Sequence, residues 1–237
     1  MTIQNILTGT GRIVWGHPVK SSQKTDMDTG ALVLRDGVPI EQWSFGVAFP
    51  KDEFQAMIWP SMAAEAATAY PNVPERFSWK YKDGDGVDSN GVLFSEREGY
   101  AGCYVLTITT VLKQPPVSKY NPALADYDRV DAEGIKCGDY VRVNLDMTVN
   151  VPKNPTYTPG LFINPNGVEL VAYGTAIISN SGPAANTMFG GSPVAIPAGA
   201  SATPLSSAPD NTGMPVQQQQ QQQPMQQQQP MQQQQPM

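Results

Sequence analysis

Seven consecutive residues, Arg76-Phe77-Ser78-Trp79-Lys80-Tyr81-Lys82, carry the densest binding chemistry in the chain. As a strand they put Phe77, Trp79 and Tyr81 on one face and Arg76, Lys80 and Lys82 on the other. Cations spaced along a strand can follow a row of phosphates, and flat rings beside them give unstacked bases a surface worth about 1–3 kcal/mol per base. The same alternation fits an amphipathic strand whose rings fill a core while its lysines meet water. The two readings differ only in which face is covered. Four Trp, nine Tyr and seven Phe occur in the chain, several near basic residues: Arg12 with Trp15, Arg97 with Tyr100, Lys119 with Tyr120 and Tyr140 with Arg142. Tyrosine outnumbers phenylalanine, as suits rings that meet polar ligands as well as core.

Other chemistry finds little support. His17 is the only histidine, so a Ser-His-Asp or Cys-His arrangement would have to use it, and it sits beside Pro18. A two-histidine metal site is impossible, and the plain reading is a surface or loop histidine. Asp83-Gly84-Asp85-Gly86-Val87-Asp88-Ser89-Asn90-Gly91 resembles a calcium loop. In that register, however, Asp88 falls where Gly is required and Phe94 where Glu is required, so a tight hairpin loop is expected. Gly9-Thr10-Gly11-Arg12 lacks the spacing and the lysine of a phosphate-binding loop. Two cysteines, Cys103 and Cys137, make no disulfide framework and no cysteine zinc site. Neither catalysis nor a metal or cofactor is expected from these residues.

The elements that must position the Arg76–Lys82 segment are mostly strands. Gln42 to Phe49 alternates large apolar with small residues and stops at Pro50, and Tyr104 to Leu112 is β-branched and stops before Pro115. Tyr140 to Val149 alternates strictly, with Val141, Val143, Leu145, Met147 and Val149 on one face. Gly160–Ile163 and Gly167–Tyr173 read as a hairpin about Asn164-Pro165-Asn166-Gly167, and Arg12 to Lys20 as a weaker first strand. One alanine-rich helix is expected over about 52–69, with Asp52 and Glu53 in its first turn and a break at Trp59 before Pro60. The predicted fold is therefore mostly β: a small five-stranded antiparallel barrel with an inserted helix on its rim.

Charge placement sets the domain boundary. The chain has 237 residues and a net charge of −6, yet all 15 basic residues lie at or before Lys153, and after Glu169 the only charged side chain is Asp210. Residues 181–216 hold 23 Pro, Gly, Ser or Ala in 36 positions, and residues 217–237 hold 15 glutamines interrupted by Pro-Met pairs. Such segments lack the apolar bulk to offset the entropy of ordering them. The expected organisation is one folded domain over 1–180, a flexible linker over 181–216 and a disordered glutamine-rich tail over 217–237. No stretch approaches the roughly 18 apolar residues that span a bilayer. The start, Met1-Thr2-Ile3-Gln4-Asn5, has neither the basic nor the apolar region of a signal peptide, so a reduced cytoplasmic setting is expected.

Several short stretches occur in a suggestive order: Gly11-Arg12-Ile13-Val14-Trp15-Gly16, Trp43-Ser44-Phe45-Gly46-Val47-Ala48-Phe49-Pro50-Lys51, Phe77-Ser78-Trp79-Lys80, Gly138-Asp139-Tyr140-Val141-Arg142-Val143, Pro159-Gly160-Leu161-Phe162-Ile163-Asn164, and Val168 to Gly174. In that order, and with the inserted helix, the sequence over about 8–180 resembles the tailed-phage single-stranded DNA-binding proteins with an OB-fold. The resemblance implies a five-stranded OB barrel. It implies coating of single-stranded DNA, without sequence preference, during phage replication, recombination or repair in the cytoplasm of an infected bacterial host. The DNA-contacting candidates it suggests are Arg76, Trp79, Lys80, Tyr81 and Lys82, with Tyr100, Tyr104 and Arg142 on neighbouring strands. Proteins of this type commonly end in an acidic tip that recruits replication partners. Here the tail ends Gln-Pro-Met, so it reads either as a low-complexity spacer, the plainer reading, or as a weak contact surface for phage or host replication proteins through its amides and thioethers. The alternative reading is a structural or virion-associated β-protein with an interaction tail, which the Gly, Pro and Asn content and the uncharged tail also suit.

Overall fold

The computed structural model describes residues 3–26, 29–154 and 156–178. The linker and tail assigned to 181–216 and 217–237 lie outside the described residues, and the architecture below is that of the unit Met1–Gly182.

Twelve strands are present among the described residues: β1 Ile3–Leu7, β2 Gly11–Gly16, β3 Ser22–Gln23, β4 Leu34–Arg35, β5 Val38–Pro39, β6 Glu41–Pro50, β7 Tyr81–Asp83, β8 Cys103–Thr110, β9 Val117–Asn121, β10 Asp126–Arg129, β11 Tyr140–Asn150 and β12 Gly160–Ala172. Ten form one sheet in the order β10-β9-β12-β11-β2-β6-β8-β7, with β1 also on β11 and β3 also on β6, while β4 and β5 make a separate hairpin. Every pairing is antiparallel except β9 with β12, where Val117 faces Val168. The protein is mostly β, but the five-stranded barrel is corrected: the sheet has ten strands and does not close. The segment leading into β7 comes nearest to closing it. Ser78 N–H donates to Pro159 O at 2.8 Å and Leu161 N–H donates to Ser78 O at 3.1 Å. That parallel Ser78–Gly160 bridge is isolated, and no ladder extends from it. On its other side the segment joins β8 through Thr107 N–H to Lys80 O at 2.7 Å and through the β7–β8 ladder.

The long strands follow the period-two pattern of the sequence. On β11, Val141, Val143, Leu145 and Met147 are fully buried between half-buried Arg142, Asn144, Asp146 and Thr148. The expected hairpin at Asn164–Gly167 is instead one continuous strand, β12. Its register against β11 shifts where Leu145 faces Pro165 and Asn144 faces Gly167, so Asn166 is the extra residue of a bulge. A bulge tolerates proline's missing N–H. The Asn166 amide donates to Asn144 Oδ1 at 3.0 Å and to Asp146 Oδ1 at 2.6 Å, which ties the bulge down.

The expected helix break also resolves differently. The helical run passes from α1, Lys51–Glu53, through a wider π-turn, Phe54–Ile58, into α2, Trp59–Ala67. Pro60 lies in the first turn of α2, where no helical N–H is needed, and the π-turn absorbs the mismatch without a break. Phe54, Ile58, Met62 and Ala66 form its buried face and pack on Ile13, Phe45, Phe49, Leu106, Leu145 and Met147. Glu65 is fully buried on the same run. Its Oε1 accepts the Val149 N–H at 3.0 Å, and its Oε2 has no hydrogen-bond partner among the described residues.

Candidate nucleic-acid interface

The segment Phe77–Lys82 lines a groove of about 1000 Å³. Thr107, Thr109 and Thr110 of β8 contribute to it, as do Leu161–Asn164 at the start of β12 and Ser22–Thr25, which include β3. Lys24, Lys80 and Lys82 line it, and no Asp or Glu does. Lys80 and Lys82 are exposed and Lys24 is half-buried, and none of the three forms an ion pair among the described residues. In a chain of net charge −6, three lysines without a direct ion pair and no carboxylate in the lining make this a local positive site, although Asp88 lies within electrostatic reach of Lys82. Lys82 also lies 5.2 Å from the centre of the Phe94 ring.

The backbone explains why consecutive residues reach one groove. Lys80 takes a left-handed conformation, φ 61°, which interrupts the strand alternation between Ser78, bonded to β12, and Tyr81, bonded to β8. A non-glycine residue in that region costs of order 1–3 kcal/mol, so the surrounding hydrogen bonds must impose it. The rings beside it form a mutual cluster. Trp79 lies 4.6 Å from Phe77 and 4.7 Å from Trp59, centre to centre. Tyr81 lies 5.0 Å from Phe54 and 5.2 Å from Tyr104. Burial, reinforced by Tyr104 and Asp83, pushes the Tyr81 hydroxyl pKa up.

Of the residues singled out in the sequence, the structure brings Trp79, Lys80, Tyr81 and Lys82 into the groove. Arg76 is exposed and lies outside its lining. Tyr104 belongs to the ring cluster, with Lys51 over it at 5.2 Å. Tyr100 is buried in a second core with Val14, Ala48, Phe94 and Val105, where burial raises its pKa. Arg142 lines a separate hollow with Tyr127 and Glu169, and its Nε donates to Glu169 Oε2 at 2.9 Å, so its charge is compensated. The sequence reading missed Lys24 and Phe162. Phe162 was legible as an outward position between buried Leu161 and Ile163. Nothing local marks Lys24, which reaches the groove only because β3 pairs with β6.

Two other sequence candidates turn inward on the protein. His17 Nδ1 accepts the Val19 and Lys20 N–H groups at 3.0 and 3.1 Å, which leaves Nε2–H to donate to Ile135 O at 3.0 Å. Burial lowers its pKa. The acidic loop holds Lys51: its ammonium lies 2.6 Å from Asp83 and 2.7 Å from Asp85. Asp83 has its pKa lowered chiefly by Lys51, and Asp85 chiefly by the Gly102 N–H and then by Lys51.

A comparison with solved structures finds phage single-stranded DNA-binding proteins as structural neighbours. The single-stranded DNA-binding protein of bacteriophage Enc34, in its C-terminally truncated form, matches with a TM-score of 0.50 and 18% identity over 74% of this chain and 86% of that one. The same protein in complex with single-stranded DNA matches at 0.50 and 18%, over 75% and 88%. At that identity the likeness is one of fold. No protein-family model matches the sequence, and no curated protein matches it.

Proposed function

We propose that this protein binds single-stranded DNA without sequence preference and protects it during phage DNA replication, recombination or repair. In this reading it acts by binding rather than by catalysis, in the cytoplasm of the infected host. The observation that carries the reading is the groove itself: three unpaired lysines, exposed or half-exposed rings and no carboxylate, in an otherwise acidic chain. The fold it shares with a protein solved on single-stranded DNA supports the same conclusion. Lysines act as point charges on phosphates, and no arginine, with its rigid fork, lines the groove. The Thr109 hydroxyl is already engaged by Ser44 at 2.7 Å. Rings accept any base, because every base has a π face. No helix among the described residues is long and apolar enough to cross a membrane.

The test is tryptophan fluorescence during titration with a dT oligomer at low and high salt. Trp79 reports directly from the groove, so salt-sensitive quenching is expected. No quenching together with no shifted band on a native gel would overturn the proposal.

A further inference from the structure

Four rings line the groove: Phe77, Trp79, Tyr81 and Phe162. Three are already committed. Phe77 is 8% exposed and packs in the core. Trp79 touches Phe77 and Trp59, and Tyr81 touches Phe54, Trp59 and Tyr104. Phe162 alone among them is more than half exposed, at 52%, and it contacts no other ring and no cation among the described residues. Its backbone is nevertheless fixed. Phe162 pairs with Thr148 on β11, its neighbours Leu161 and Ile163 are anchored in the core, and the Leu161 N–H is bonded to Ser78 O. Phe162 therefore offers the groove a ring that no other ring covers among the described residues, and any base has a π face that such a ring can take.

We infer that Phe162 is the platform on which a base of the bound strand stacks, while Lys80 and Lys82 hold its phosphates. This rests on the single-strand reading above and adds a polarity to it. The sugar-phosphate chain lies toward β7 and the bases turn toward β12. Trp79 and Tyr81 then form the wall behind the strand and do not carry the bases.

The test compares wild type, Phe162→Ala and Phe162→Leu on a dT oligomer and on an abasic strand of equal length. Leucine keeps apolar bulk on the strand without a π face, so it separates stacking from folding, and melting curves check both variants. Both substitutions should weaken dT binding by roughly five- to 150-fold, the range set by removing one stacked base. Neither should change binding to the abasic strand or the salt slope. Phe162→Trp should bind dT and add a quenchable indole. If wild type binds dT and Phe162→Leu binds it equally well, this inference falls and the single-strand reading stands. If wild type binds neither strand, both fall.

Discussion

The salt dependence of binding follows from counting the groove's cations. Lys24, Lys80 and Lys82 line it, no acid does, and none is held in an ion pair among the described residues. Each phosphate neutralised on a single strand contributes about −0.7 to the slope of log K against log salt, so three contacts give a slope of roughly −2. Between 50 and 200 mM salt, affinity should therefore drop about 20-fold. Removing two of the three cations in a Lys80→Ala/Lys82→Ala variant leaves a slope of about −0.7 and a drop of only two- to threefold over the same range. Both lysines are exposed, so the variant should melt as wild type does. The assay is fluorescence titration with dT oligomers at four salt concentrations, repeated with a mixed-sequence oligomer that should shift equally. An unchanged slope in the double variant would rule out phosphate contacts by Lys80 and Lys82 and make these lysines bystanders. A wild-type slope steeper than about −5 would mean that cations outside the groove carry most of the phosphates.

Two further outcomes concern the frame that holds the groove. Lys51 joins the start of the helical run to the Asp83–Asp85 loop, its pKa raised by the two carboxylates and theirs lowered in turn. Folded carboxylates depressed below their ordinary 3.8 contribute stability above that value and lose it as pH falls through the folded value. The raised lysine contributes fully below its ordinary 10.5 and loses its share as pH climbs past its folded value. Lys51→Met should thus lower Tm at neutral pH, and its gap from wild type should close as pH falls through the folded values of the two carboxylates; a gap that persists once both are protonated would contradict the clamp. Gly160→Ala would set a Cβ 2.6 Å from Ser78 O and 2.7 Å from Ser78 Cβ, against the bridge that fixes the groove segment on β12. It should cost about 1–3 kcal/mol by denaturant melting and weaken dT binding, and an unshifted midpoint would show that the bridge yields freely.

The legible parts of this fold were those governed by local period. Val141 to Met147 alternates in sequence and alternates in burial, and Gln42 to Phe49 lies within β6. The short strands β3, β9 and β10 were not legible, because two to five residues without an apolar alternation pair only where neighbouring backbone offers them a ladder. The β12 bulge hid behind Pro165, since a turn and a bulge use the same residue types.

The candidate site divides the same way. Residue order alone shows that the Arg76–Lys82 stretch combines cations with rings and that the basic residues are confined to positions at or before Lys153. Which of those groups meet is a property of the folded chain. Folding buried Tyr100 beside Phe94, set Glu169 against Arg142, packed Trp79 and Tyr81 into a ring cluster, and brought Lys24 and Phe162 to a groove remote from them in the chain. The physical reason is that alternation along a strand fixes which side chains share a face. Whether that face is covered by core, neutralised by a partner or left to a ligand depends on long-range pairings, which no local pattern encodes.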